Sequence, residues 1–125
     1  MDLKVIFVYN ADSGVINMIE DYMHKIMKPS TYGCNLCALT YNNFGMKDDW
    51  KEFVAKLGIT VEFLHKDEFN IKYQMDDVKF PIAFLDKDSE LTQLISQEEI
   101  NEFKTLGDLK ELVENKVKDL RNNGR

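Results

Sequence analysis

The hydrophobic pattern predicts a strand and then a helix at the start of the chain. Leu3 to Tyr9 is a β-branched and aromatic run with almost no polar residue, which is typical of a strand buried on both faces. Asn10–Gly14 then supplies turn and helix-capping residues. From Val15 to Met27 apolar residues recur every three or four positions, which predicts one face of a helix.

Two further strand–helix units are predicted in the middle of the chain. Cys34–Tyr41 is a second apolar run and predicts a strand. It is followed by apolar spacing that predicts a helix around Trp50, ending at Gly58. Ile59–Leu64 alternates apolar and polar residues, as a half-buried strand does. The polar segment His65–Tyr73 predicts a short helix or a loop.

The last third of the chain predicts a β-hairpin and a closing helix. Phe80–Leu85 is a strand candidate with a proline near its start, residues 86–89 have turn chemistry, and Leu91–Ile95 forms the return strand. A helical pattern follows from Thr105, and Arg121–Arg125 is predicted to be a frayed tail. Alternating β and α units imply an α/β fold with a mostly parallel sheet, to which the hairpin adds an antiparallel edge.

Composition and charge narrow the class of protein. The chain of 125 residues fits one domain, residues 1–125, and 44% of its residues are hydrophobic. Sixteen Lys and Arg against 22 Asp and Glu give a net charge of −6, which argues against nucleic-acid or anionic-membrane partners. No apolar run approaches the ~20 residues of a membrane span, and no signal peptide is recognisable. We therefore expect a cytoplasmic protein, and the sequence indicates no cofactor.

The second half of the chain resembles the C-terminal half of the thioredoxin fold. From Thr60 to about Leu120 the predicted order is strand, short helix, loop, proline, strand, turn, strand, helix. Val78–Leu85 resembles the proline-led strand of that family, whose proline is cis and lines the active site. The resemblance implies a three-layer α/β/α domain. Leu3–Met27 then supplies the opening strand and helix, and residues 30–58 form an inserted βα unit.

The chain departs from thioredoxins in the position of its cysteines. Those proteins carry Cys-x-x-Cys between the first strand and its helix, where this chain has Asn10–Gly14 and no cysteine. Its own Cys34 and Cys37 begin the second predicted strand, and strand starts lie opposite strand ends in a parallel sheet. We therefore expect both cysteines across the sheet from Pro81. The segments around Cys34–Thr40 and Phe63–Phe69 also resemble those of small bacterial proteins without an assigned activity.

Cys34 and Cys37 are the first candidate site, with three interpretations. They can form a reversible dithiol, in which one thiolate attacks and the other resolves. They can instead be small buried core residues, because free cysteine is among the most buried residue types. They can also ligate a metal such as zinc, with His24 and His65 as further ligands. The two histidines are predicted at opposite ends of the sheet, which argues against that last site.

The loop after the first strand is the second candidate site. Free backbone N–H groups at a helix start favour an anion, and in glutathione-binding relatives of the thioredoxin fold this corner holds a thiol ligand. The alternative is plain helix capping by Asp12 or Ser13. The candidate ligand-binding residues are Asn10, Asp12, Ser13, Gly14, Phe80 and Pro81.

The sequence thus predicts a cytoplasmic, thiol-dependent protein that exchanges a dithiol and a disulfide at Cys34 and Cys37. Its partner is then a protein or a small thiol. The alternatives are a non-catalytic binding or adaptor module with structural cysteines, and a metal-binding protein that uses the same two residues. The sequence leaves open whether the protein is an enzyme, and it does not indicate an oligomeric state.

Overall fold

The computed structural model describes residues 3–10, 35–42, 45–75 and 77–123. None of the helices in these ranges is long and apolar enough to cross a membrane. Within these ranges, the elements in chain order are β1 (Leu3–Tyr9), α1 (Asn35–Thr40), β2 (Tyr41–Asn42), β3 (Gly45–Met46), α2 (Asp48–Lys56), β4 (Thr60–His65), α3 (Lys66–Tyr73), β5 (Ile82–Lys87), β6 (Glu90–Ile95), α4 (Gln97–Glu102) and α5 (Leu106–Asn123).

Four strands form a mixed sheet in the order β4-β1-β5-β6. β4 runs parallel to β1, whereas β5 is antiparallel to β1 and β6 is antiparallel to β5. The α/β class and the C-terminal hairpin are confirmed, but the expectation of a mostly parallel sheet is wrong. The cause is the segment of residues 74–81 after α3. It brings the chain back to the end of the sheet where α3 began, so β5 runs opposite to β4.

Helices cover both faces of this sheet, as the buried run in β1 predicted. Successive strand residues point to opposite faces, and Val5 to Tyr9 are all buried. One face forms the larger core, whose buried members are Val5, Phe7, Tyr9, Leu36, Cys37, Leu39, Trp50, Leu57, Ala83, Ile95, Ile100, Leu109, Val113 and Val117. The other face packs beneath α3 as the smaller core of Ile6, Val8, Phe69, Ile82 and Phe84.

The segment predicted to be the second strand is a helix. Asn35–Thr40 forms α1, and the Thr40 hydroxyl donates a hydrogen bond to the Leu36 carbonyl, 2.7 Å away, as side chains in helices do. A two-residue antiparallel pairing of β2 and β3 follows, and then α2. The expectation of an inserted βα unit over residues 30–58 is therefore wrong in its described part. A short apolar run does not distinguish a buried strand from a buried helix.

The closing helix extends further than predicted. α5 continues to Asn123, three residues into the segment predicted as a frayed tail, and Gly124 and Arg125 lie outside the described residues. The Arg121 guanidinium donates a hydrogen bond to the Leu57 carbonyl at the end of α2. This contact ties the last turn of α5 to the loop that leads into β4.

Gly58 in that loop should not tolerate a side chain. Its φ is +74°, and an added Cβ would lie 2.5 Å from the Arg121 guanidinium. We expect Gly58→Ala to lower the free energy of unfolding by about 1–2 kcal/mol, measured by urea denaturation. Gly107 is the matched control: its added Cβ meets Thr105 Oγ1 at an ordinary 3.6 Å. Gly107→Ala should raise stability, by at most about 1 kcal/mol. Equal effects of the two substitutions would contradict this account.

Candidate functional site

Several candidate residues meet at the end of the sheet where β1 finishes. Tyr9 is in register with His65 of β4, and Val8 is in register with Ile82 of β5. We call this the upper end of the sheet. Pro81 directly precedes Ile82, is buried, and follows a cis peptide bond from Phe80, as the resemblance to thioredoxins implies.

Phe80 makes a ring contact and a backbone hydrogen bond at this end of the sheet. Its ring lies edge-on to the Phe69 ring of the smaller core, with centroids 5.8 Å apart. Its carbonyl accepts a hydrogen bond of 2.8 Å from Gln97 Nε2 at the start of α4. The start of α4 is thereby held beside Pro81, and α4 leads back towards α1.

α1 is held between α4 and the upper end of β1. Asn35 Nδ2 donates to the carbonyls of Ile100 and Phe103, at 2.7 and 3.0 Å. At the other end of the helix, the Tyr41 and Tyr9 rings meet edge-on with centroids 5.5 Å apart. Cys37 lies between these attachments and so at the same end of the sheet as Pro81. The expectation that it lies across the sheet is wrong, because its segment is a docked helix rather than a strand.

Cys37 is 2% exposed and disulfide-bonded. Cys34, the other of the two cysteines in the sequence, lies outside the described residues. A disulfide sulfur is not the thiolate that zinc requires, so Cys37 in this state does not fit the metal-site interpretation. His24, which the same interpretation considered as a further ligand, lies outside the described residues.

The predicted anion corner falls mostly outside the described residues. Asp12, Ser13 and Gly14 belong to that part of the chain. Asn10 is half-buried directly after β1, and it lies on the same end of the sheet as Pro81. The structure therefore brings together one residue of the loop, the proline and Cys37.

The Tyr9 side chain points into the larger core beside α1. It is 1% exposed, and within the described part of the chain its hydroxyl makes no hydrogen bond. Burial raises the pKa of Tyr9 well above its usual value of 10.0, and the neighbouring Tyr41 phenol raises it further. The hydroxyl therefore stays protonated at neutral pH and can donate a hydrogen bond.

His65 lies next to Tyr9 and is oriented by Glu68. The Tyr9 and His65 ring centroids are 5.9 Å apart. Glu68 Oε1 lies 2.5 Å from His65 Nδ1 and accepts a 2.8 Å hydrogen bond from the His65 backbone N–H. That backbone hydrogen bond is the main reason the pKa of Glu68 is lowered. The carboxylate can only accept, so His65 Nδ1 carries a hydrogen.

The group of His65, Asp67 and Glu68 is better explained as the start of α3 than as a metal site. Their ligand atoms lie within 4.8 Å of one another. Asp67 Oδ1 accepts a 2.9 Å hydrogen bond from the Glu68 backbone N–H, and Glu68 is bonded to His65 as described. These acceptors thus satisfy N–H groups that a helix start leaves without intrahelical partners.

A cavity of about 630 Å³ opens at the opposite end of the sheet, where Lys4, Asp86 and Arg121 line it. Lys4 Nζ lies 3.0 Å from Glu62 and 4.0 Å from Asp86, and Arg121 is bonded to the Leu57 carbonyl. These charged groups are already paired within the protein. They are therefore less able to bind a ligand in this cavity.

Sequence reasoning missed Tyr9 and Asn35 as site residues and considered His65 only as a metal ligand. The alternation along β1 places Tyr9 on the same face as Phe7, so its membership of the larger core was accessible from the pattern. Its neighbours were not, because they come from α1 and β4. Comparison of the chain with protein-family models, curated proteins and solved structures gives no match.

Proposed function

We propose that this chain is a thioredoxin-like protein that exchanges a dithiol and a disulfide at Cys34 and Cys37. The carrying observation is the disulfide-bonded Cys37 on a helix docked at the Pro81 end of the sheet. The element order supports it, since β4, α3, Pro81, β5, β6 and α5 follow one another in the order that the resemblance implies. These features agree with the fold that the resemblance implies.

The burial of Cys37 assigns the two cysteines different roles in this proposal. A side chain that is 2% exposed does not meet the disulfide of another molecule, so Cys37 fits the resolving thiol and Cys34 the attacking one. The Cys34 thiolate attacks one sulfur of the partner disulfide, and the first partner thiolate leaves. The Cys37 thiolate then attacks the Cys34 sulfur, and the second partner thiolate leaves. The protein is oxidised by two electrons and the partner disulfide is reduced.

The partner in this proposal is a disulfide of a cytoplasmic protein or of a small thiol. The rival proposal is a binding or adaptor module in which both cysteines are structural. The burial of Cys37 favours it, because buried structural thiols are inert. The two differ in whether the thiols of the folded protein react.

The test is thiol exchange by the intact chain. Wild type that is first reduced and then treated with glutathione disulfide should lose about two mass units, and dithiothreitol should reverse the loss. Cys34→Ser and Cys37→Ser should each abolish the change without unfolding the domain. Cys37→Ala is the companion variant, because it buries no hydroxyl at this site. Wild-type thiols that react only after denaturation would overturn the exchange proposal and leave the binding module.

A further inference from the structure

A groove runs between α2 and α5 on the side of the sheet that contains the larger core. It has a volume of about 380 Å³ and is lined by residues of both helices, and this volume is within the range of small-molecule sites. Val117 and Arg121 line it and also line the cavity at the opposite end of the sheet from Pro81. The groove is therefore separate from the candidate site at the upper end.

The floor of the groove is apolar and recessed. Leu57 and Val117 line it and are 7% and 2% exposed, and Phe53 is half-buried beside them. Within the described ranges the exposed large hydrophobic residues are Ile71 and Met75, and neither lines this groove. The apolar surface thus lies inside a cleft, whereas a protein partner would cover a protruding apolar patch. A narrow apolar ligand fits this floor better.

Cations surround the groove, although the protein has a net charge of −6. Lys56, Lys118 and Arg121 are exposed and line it together with one carboxylate, that of Glu114. Lys110 adds a further cation, because its Nζ lies 6.0 Å from the centroid of the aromatic ring in the floor. A local excess of positive charge attracts anions. The charge of the groove is therefore complementary to an anionic ligand.

These cations keep donors that the protein itself does not use. The Lys56 ammonium has no partner among the described residues. Arg121 donates to the Leu57 carbonyl, but a guanidinium has five N–H donors. Lys118 Nζ lies 3.4 Å from Glu114, and both side chains are more than half exposed, so this ion pair is weak. An anion in the groove can therefore accept hydrogen bonds from them.

We propose that this groove binds a small amphiphilic carboxylate, such as a medium-chain fatty acid. The carboxylate accepts hydrogen bonds from Arg121 and Lys56, because a guanidinium fork matches a carboxylate and an ammonium adds a second charge. The hydrocarbon chain lies along Phe53, Leu57 and Val117, and its removal from water stabilises the complex. This binding site is independent of the dithiol exchange proposed above.

Stabilisation of helix ends explains only part of this arrangement. Lys56 and Arg121 lie in the last turns of α2 and α5, where a cation is favourable. Lys110 and Lys118 lie before the last turn of α5, and the favourable effect falls off beyond that turn. It also does not require an apolar cleft beside the cations. The two explanations differ in whether the groove binds an added anion.

Titration of the full-length protein with octanoate, below its micellar concentration, tests the proposal. Trp50 is the single tryptophan, and its ring stacks on Phe53 with centroids 5.6 Å apart, so its fluorescence reports on the groove. Acetate tests the contribution of the chain, and octylammonium tests that of the head group. We expect octanoate to bind saturably, and acetate and octylammonium to bind at least about tenfold more weakly.

Charge substitutions on the two helices locate the binding site. Lys56→Gln should weaken octanoate binding about fivefold and Glu114→Gln should strengthen it by a similar factor, because the first removes an attracting charge and the second a repelling one. Lys51→Gln and Glu111→Gln are the matched controls. They make the same charge changes at exposed positions of the same helices outside the lining, and they should bind within about twofold of wild type.

Three results would overturn the proposal: no saturable binding of octanoate, binding of octylammonium as tight as that of octanoate, or equal effects of the lining and control substitutions. Urea unfolding checks that each variant is folded, and if Lys56→Gln is not, Glu114→Gln alone decides. The titration does not measure thiol exchange. A negative result therefore leaves the proposed function of Cys34 and Cys37 as it stands, and failure of that function leaves this site.

Discussion

Replacing Phe69 with alanine is expected to lower the free energy of unfolding by about 3–5 kcal/mol. Phe69 is fully buried and is the one buried residue of α3. Its ring stacks on Phe84 of β5 with centroids 5.2 Å apart and an interplanar angle of 1°. Phe80 meets the same ring edge-on. The substitution therefore empties the centre of the smaller core and releases α3, whose start is capped by the His65 and Glu68 pair.

Chemical denaturation of Phe69→Ala against Ile71→Ala measures this effect. Ile71 lies two residues further along α3 and is 78% exposed, so its truncation should change stability by less than about 0.5 kcal/mol. The comparison keeps the helix and the residue introduced constant, and the two removed side chains differ chiefly in burial. Similar losses in the two variants would show that α3 does not attach to the sheet through Phe69.

Asn35→Asp is expected to lower the free energy of unfolding by at least about 2 kcal/mol. The Asn35 amide donates to two carbonyl oxygens, those of Ile100 and Phe103. The aspartate has the same shape but no donor, so a carboxylate would face both carbonyls. The attachment of α1 to α4 is lost, and with it the fixed position of Cys37. Reduced Cys37 should consequently react faster with an alkylating reagent.

Two controls separate the lost hydrogen bonds from the added charge. Asn101→Asp introduces the same charge on the exposed side of α4 and should change stability by less than about 0.5 kcal/mol. Asn35→Ala leaves the carbonyls without a donor and without repulsion, so it should fall between the two. Denaturation midpoints and alkylation rates of all three, measured in reductant, check the order. An Asn35→Asp variant as stable as wild type would exclude this docking of α1.

The elements with a clear local signal were predictable from the sequence. The β-branched run of β1 has the composition of a strand buried on both faces, and it is one. A tight turn at Asp88 and Ser89, within the segment 86–89 that was predicted to turn, joins β5 and β6. Both residues adopt positive φ values, 53° and 75°, which turn residues accept. In both places the conformation depends mainly on residues within the segment itself.

The helical conformation of residues 35–40 and the antiparallel direction of β5 were not predictable from the local pattern. Both depend on contacts between segments far apart in the chain. Apolar Leu36, Cys37 and Leu39 suit a buried strand or a buried helix equally. The helix is held by the hydrogen bond from Asn35 to Ile100, 65 residues away in the chain. Likewise, the parallel expectation for β5 assumed that each helix crosses the sheet and returns. The short α3 and the loop after it bring the chain back to the upper end instead.

The candidate site was likewise predictable only in part from the sequence. The sequence contains the Cys-x-x-Cys spacing and the proline before β5. It predicted thiol chemistry, but with the cysteines across the sheet from the proline. That Cys37 is buried in the same core as Tyr9, at the end of the sheet that also contains Pro81 and His65, was decided by the docking of α1. Periodicity fixes which face of an element is buried, because it reports on neighbours within a few residues. Periodicity does not fix which part of another element this face contacts. Packing between segments far apart in the chain sets that contact, so only the tertiary structure shows it.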